Sequence, residues 1–235
     1  MSKLKVYNVS KTYKTGSSTV EALKNVSFEV SEGEMLAIVG PSGSGKTTLV
    51  NIIAGFLLPD TGAVFLGDKD ISKYNDSQRA KLRCDFWGYI AQDYLLIDSD
   101  TAYQNIEIPL QYTKKVKRGE RKVKILEVAK KLGIEGLLNK KVSTLSGGEK
   151  QRVAIARAIV NNQEVVLADE PTGALDIENR DNVVESLREL QAEHGKTIII
   201  ITHDPEVANA CDRVVRLHGG ELVEDRQVLE QIVLT

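Results

Sequence analysis

A continuous apolar run, Met35-Leu36-Ala37-Ile38-Val39, ends in Gly40-Pro41-Ser42-Gly43-Ser44-Gly45-Lys46-Thr47-Thr48 and continues into Leu49-Val50-Asn51-Ile52-Ile53-Ala54. No other stretch of the chain narrows its possible folds so far. Five apolar residues without alternation suit a strand buried on both faces of a parallel sheet. Such a strand, followed by a glycine-rich turn and a segment with one apolar face, predicts strand, loop and helix, the order that G-x-x-x-x-G-K-[ST] requires. Gly43 and Gly45 let backbone N–H groups approach oxygens closely, Lys46 sets a cation against β and γ phosphates, and Thr47 offers a hydroxyl to Mg2+. Residues 40–48 are therefore expected to grip a nucleoside triphosphate.

Two more apolar runs end in chemistry-bearing groups. Glu164-Val165-Val166-Leu167-Ala168 delivers Asp169-Glu170, and Thr197-Ile198-Ile199-Ile200-Ile201 delivers Thr202-His203-Asp204. In open α/β sheets ligands sit at the carboxyl edge of the strands, so all three ends are expected there. A carboxylate pair in a protein with a phosphate loop divides its work: Asp169 holds Mg2+, through water, and Glu170 orients or deprotonates the attacking water. His203, exposed at that edge, is a γ-phosphate contact or a switch.

A second anion site is written at Leu145-Ser146-Gly147-Gly148-Glu149, which opens onto Lys150-Gln151-Arg152-Val153-Ala154-Ile155-Ala156-Arg157-Ala158. Unpaired N–H groups and the positive dipole end of a starting helix favour a terminal phosphate there. Two phosphate loops for one nucleotide call for two copies of the chain, head to tail about a two-fold axis. Each nucleotide then lies between the first loop of one copy and the second loop of the other.

The remaining segments frame these sites. Alternation over residues 3–9 and 20–30, with Gly16-Ser17-Ser18 between, predicts an antiparallel layer containing Tyr13, which read alone is a surface or core tyrosine. Short strands at Ala63–Leu66 and Phe86–Ile90 flank a polar helix near Asp76–Arg83, and Gln92 follows the second strand. Trp87 is expected in the core. From Thr101 to about Asn162 helical periods take over, with Val123, Leu126, Ala129 and Leu132 as one stripe. The basic run from Lys114 to Lys124 either meets acidic lipid headgroups or, the favoured reading since Glu120 and Glu127 interrupt it, is a solvated loop and helix start. Val183, Val184, Leu187 and Leu190 share a helix face, Val214–Leu217 and Glu221–Val223 form a hairpin, and Arg226–Thr235 reads as a short tail helix. The whole is one α/β domain over 1–235, with a core of 1–92 and 162–235 and a helical subdomain over 93–161.

A net charge of −2 advertises no nucleic-acid partner, and Cys84 and Cys211 have no metal or disulfide spacing. No window approaches the roughly 18 apolar residues of a spanning helix, so the chain is expected to be soluble and cytosolic.

With residues 40–47, Gln92, Leu145–Glu149, Asp169-Glu170, Asp176 and His203 in order, the chain resembles the ATP-binding subunit of ABC transporters, a P-loop NTPase fold, over essentially its whole length. The resemblance implies ATP and Mg2+ as ligands. It makes Tyr13 the adenine-stacking residue, Gln92 the link between Mg2+, attacking water and membrane partner, and Asp176 a loop residue crossing the dimer interface. Glu170-Pro171-Thr172-Gly173-Ala174-Leu175-Asp176, Thr202-His203-Asp204-Pro205, Asn105–Leu110 and Asp212-Arg213 are similar to macrolide, antimicrobial-peptide and lipoprotein exporters. That subfamily implies a separate permease, often with an extracytoplasmic adaptor, and a cassette lying on the inner face of the cell membrane. The chain has Ala91 and Asp98 where the group usually has Phe and Pro, in the region that touches the permease. Two other classes are weaker. An ABC ATPase working on DNA or ribosomes generally carries coiled coils or tandem units, and no heptad array lies between Lys46 and Ser146. A binding-only regulatory module has no use for a water-activating Glu170.

Overall fold

The computed structural model describes residues 2–16, 18–173 and 177–228. In chain order the elements are β1 Ser2–Thr15, β2 Ser18–Ser31, β3 Met35–Val39, α1 Lys46–Ile53, β4 Thr61–Leu66, β5 Lys69–Asp70, α2 Asp76–Asp85 and β6 Trp87–Ile90. There follow α3 Ala102–Tyr112, α4 Arg121–Lys131, α5 Gly147–Ile159, β7 Val165–Asp169, α6 Ile177–His194, β8 Thr197–Ile201, α7 Pro205–Asn209, β9 Arg213–His218 and β10 Glu221–Gln227. The chain divides into two compact units, one of Met1–Lys73 with Ile199–Thr235 and one of Tyr74–Ile198.

In the first unit β1 pairs antiparallel with β2 and with β4, placing Leu4 opposite Val30 and Leu66, and Val6 opposite Phe28 and Val64. Apart from the half-buried Leu66 these positions are buried, so they alternate into the core as the sequence pattern requires. Register shifts carry the pairing well past Val9, to Thr15 opposite Ser18. Near the shifts Asn8 and Asn25 both take φ 48°, and side chains bond the displaced backbone: Asn8 N–H donates to Ser27 Oγ at 2.8 Å and Asn25 N–H to Ser10 Oγ at 2.9 Å. All five residues of β3 are buried, and β3 lies parallel to β9, with Ala37 opposite Val214. The β9–β10 hairpin is clamped by the Arg213 guanidinium on Asp225, and Arg213 also reaches Glu34 at 3.2 Å. β10 runs on through Arg226 and Gln227, so the expected tail helix does not begin there. Pairing with β9 satisfies those backbone groups instead, and 229–235 lie outside the described residues.

In the second unit β6 and β7 are parallel, with Trp87 opposite Val165 and Ile90 opposite Ala168. α5 lies so close to β6 that a Cβ on Gly88 would stand 2.4 Å from the Ala158 carbonyl oxygen. Trp87 is buried, as expected. α3, α4 and α5 enclose a core of their own, including Ile106, Leu110, Ile125, Ala129, Ile134, Val153 and Ala156. Thr101 caps α3 reciprocally with Gln104.

The stripe expected along α4 through Val123 and Leu126 is not the buried one. Val123 and Leu126 are 56% and 42% exposed, while Ile125 and Ala129 are fully buried, and Val128 and Leu132 pack beside them. Steps of three residues lag about 60° on a 3.6-residue helix, so a pure i, i+3 row winds round to solvent. The i, i+3, i+4, i+7 set Ile125, Val128, Ala129, Leu132 stays on one side.

Candidate functional site

The loop between β3 and α1 is built from its glycines outward. Gly45 sits at the N-cap of α1 with φ 101°, and a Cβ there would be 2.3 Å from the Ala22 carbonyl oxygen, so only glycine fits. Lys46 folds back over the loop, its Nζ donating to the carbonyls of Gly40 at 2.7 Å and Pro41 at 2.9 Å. Ser44 is 2% exposed, and its Oγ has no hydrogen-bond partner among the described residues. A buried hydroxyl of this kind is costly unless a ligand meets it, and phosphate oxygen is a fitting acceptor beside an ammonium. Pro41, Ser42, Gly43 and Thr47 are exposed around this cradle, and Thr48 is half-buried.

On the same unit, Thr202 is fully buried at the end of β8, donates its N–H to the Ile38 carbonyl at 3.2 Å and accepts from Asp204 N–H at 3.0 Å. This leaves His203 exposed between two anchored neighbours. Asp204 then caps α7 through Glu206 N–H at 2.8 Å. Tyr13 is 39% exposed on β1, opposite Val20.

The second unit gathers the carboxylates. β7 ends at Asp169, and Glu170 follows with φ 48°, a conformation that costs a non-glycine residue roughly 1–3 kcal/mol and recurs where function demands it. Gly173 N–H donates to the Glu170 carbonyl at 3.1 Å. Gln92 belongs to this cluster: its Nε2 and the Glu170 carbonyl oxygen each lie 3.5 Å from where a Cβ on Gly173 would stand. Asp176 lies outside the described residues.

Tyr89 is a member of this cluster that sequence reasoning does not single out. Its hydroxyl lies 3.5 Å from Asp169 Oδ2, and burial, together with that carboxylate, pushes its pKa up to about 12. A tyrosine in β6, which must lie beside the strand ending in Asp169, is the available signal.

At the other phosphate loop Ser146 is the N-cap of α5 in a capping box: Ser146 N–H donates to Glu149 Oε2 at 2.8 Å, and Glu149 N–H to Ser146 Oγ at 3.3 Å. The Ser146 N–H is what chiefly holds the Glu149 carboxyl below the usual range. Ser146 and Gly147 are exposed, and Gly148 and Glu149 half-buried, so the first N–H groups of α5 face outward under a positive dipole end.

Within the second unit the Asp169 carboxylate and the Gln92 amide carry hard oxygen donors, and in the first unit the Thr47 hydroxyl is another, the donor type that Mg2+ takes. No helix among the described residues is long and apolar enough to cross a membrane.

Comparison with known proteins agrees with this architecture. Residues 23–173 match the ABC transporter family. An uncharacterized ABC transporter ATP-binding protein of Bacillus subtilis, YvrO, is 46% identical over 95% of this chain and 97% of its own. The Methanocaldococcus jannaschii protein MJ0796, also described as an ABC transporter ATP-binding protein, is 41% identical over 96% of this chain and 97% of its own. The macrolide export ATP-binding/permease protein MacB of Salmonella choleraesuis is 41% identical over 97% of this chain, which spans only 35% of that longer protein. Among solved structures, the dimeric post-hydrolysis state of the MJ0796 cassette bound to ADP and Pi superposes with a TM-score of 0.88 at 39% identity, covering 96% of this chain and 99% of that one. The chain belongs to the ABC transporter family, as an ATP-binding and ATP-hydrolysing cassette.

Proposed function

We propose that two copies of this chain bind and hydrolyse Mg2+-ATP head to tail and thereby drive a separate membrane permease. The carrying observation is the near full-length likeness to a cassette whose solved structure is a dimer holding ADP and Pi. In this reading residues 40–48 wrap the phosphates, with Lys46 leaving the Gly40 and Pro41 carbonyls for β and γ oxygens, and Tyr13 stacks on the adenine. Thr47, Asp169 and Gln92 hold Mg2+, which when bound neutralises developing charge on the phosphates. Glu170 orients the attacking water, and His203 contacts the γ-phosphate. Ser146, Gly147, Gly148 and Glu149 of one copy close on the nucleotide of the other, with Asp176 crossing between them.

For transport, the reading is export of the macrolide, antimicrobial-peptide or lipoprotein type, with a permease and an extracytoplasmic adaptor, and a cassette lying on the inner face of the membrane. The similarity to a macrolide exporter supports it. So do the exposed Leu95, at 62%, and Ile97, at 45%, beside Asp98 in the loop after Gln92, a surface apolar enough to receive a permease segment.

The test is Glu170→Gln. The substitution removes the water-activating carboxylate and leaves the loop at 40–48 intact, so ATP binding persists, hydrolysis falls by orders of magnitude, and ATP holds the chain as a dimer on a sizing column. Hydrolysis at the parental rate removes Glu170 from its role.

A further inference from the structure

The loop after Gln92 contains two consecutive non-glycine residues in the left-handed region, Tyr94 at φ 59° and Leu95 at φ 49°. Left-handed positions are unfavourable for side chains with a Cβ and are rarely adjacent. Their own N–H groups bond only within the turn: Tyr94 N–H donates to the Ala91 carbonyl and Leu95 N–H to the Asp93 carbonyl. The carbonyls of the same two residues both point at one side chain. Arg157, 62 residues further along from Leu95 and in the last turn of α5, donates from Nη2 to the Tyr94 carbonyl at 2.6 Å and from Nη1 to the Leu95 carbonyl.

Arg157 sits in the run Val153-Ala154-Ile155-Ala156-Arg157-Ala158-Ile159, whose other members are all buried. Among the described residues no carboxylate pairs with it. A half-buried guanidinium answered by two backbone carbonyls alone is an expensive way to fill space, and its planar fork matches two adjacent acceptors as an ammonium does not. The other end of α5 carries the Ser146 loop, about 20 Å away along 13 residues of helix. The same helix touches the loop a second time, through Lys150 Nζ and Asp98 Oδ1 at 3.4 Å, but that pair is exposed and screened.

We propose that Arg157 is a positioning residue that latches the Gln92 loop, in its strained left-handed form, to α5, so that Gln92 and the Ser146 loop move as one body. This rests on the proposed function, in which Gln92 serves the nucleotide of its own copy and Ser146 that of the partner. Arg157 then ties the state of one ATP site to the other within a single subunit.

The experiment compares the full chain with Arg157→Lys and Arg157→Ala, the lysine variant keeping charge and bulk should the alanine variant not fold. Amide hydrogen exchange over 93–97 and steady-state ATPase are read together. Exchange at 93–97 rises in both variants while the α5 amides keep their protection. The rate constant kcat falls about ten- to hundredfold, as misplaced positioning groups do, with KM for ATP little changed. A role confined to packing would loosen α5 and 93–97 together. Adding Leu95→Gly to Arg157→Ala, which relieves the left-handed strain at an exposed position, restores part of kcat. Parental exchange at 93–97 overturns the latch. Loosened exchange with parental kcat overturns its coupling to hydrolysis. Gln92→Ala run beside them separates the two readings: a parental rate there removes Gln92 from the reaction, and the coupling with it, while the Glu170→Gln result still judges the ATPase assignment.

Discussion

Gly88→Ala turns the tight seat of α5 on β6 into a number. A Cβ at position 88 would stand 2.4 Å from the Ala158 carbonyl oxygen, 3.1 Å from its carbonyl carbon and 3.4 Å from its Cβ. Ordinary carbon contacts begin near about 3.5 Å, so strand and helix must part by about 1 Å. The obstructing atoms are helix backbone, which no rotamer change removes, and Ala154, Ile155 and Ala158 of α5 are too buried for the helix to move freely. Overpacking of this kind costs about 3 kcal/mol, the upper part of its usual range. For a chain of this size each kcal/mol lowers Tm by roughly 2–4 °C, so a fall of about 6–12 °C is expected by calorimetry or circular dichroism. ATPase activity falls further than stability predicts, because α5 carries both Ser146 and Arg157. Gly119→Ala is the control: nothing lies within 4 Å of a Cβ there, and its Tm stays within about a degree, as surface substitutions do. A Gly88→Ala protein that melts with the parent refutes the claim that backbone proximity, rather than chance, put glycine in β6.

Two further outcomes follow from the same unit. Tyr89 has a folded pKa raised from 10.0 to about 12, so the unfolded chain releases that proton first and stability falls as pH rises from 10 toward about 12; Tyr89→Phe flattens that alkaline limb in pH-dependent melts. Ile106 is fully buried in the core of α3, α4 and α5, and Ile106→Ala should cost about 2–5 kcal/mol in denaturant unfolding, with a value near zero showing that this core is not packed as described.

What the sequence disclosed follows from which interactions are local. The phosphate loop was legible because strand, glycines, lysine and helix are contiguous. The buried runs at 35–39, 165–168 and 197–201 were legible because a strand covered on both faces must be apolar at every position, without the alternation of a half-exposed one. The start of α5 was likewise legible, because Ser146-Gly147-Gly148 stands directly before its apolar run. The face of α4 was not, because two apolar rows, one through Val123 and Leu126 and one through Ile125 and Ala129, compete on that helix and only packing against α3 and α5 chooses. The extension of β1 and β2 to Thr15 and Ser18 was hidden by register shifts near Asn8 and Asn25, which break the period-2 pattern. Tyr89 and Arg157 act through partners 80 and 62 residues away, and no periodicity reports such pairs. For Arg157 the visible trace was a cation inside the apolar run of α5.

In the proposed dimer each ATP is gripped by the 40–48 loop of one copy and the Ser146 loop of the other. Mixing two inactive chains, Lys46→Ala and Ser146→Arg, tests it most directly. In the mixed dimer one site combines both lesions, while the other joins an intact 40–48 loop to an intact Ser146 loop. The expected result is ATPase activity that is absent from either chain alone and appears on mixing, peaking at equal amounts. Two folded chains that pair with one another yet stay inactive at every ratio would contradict it.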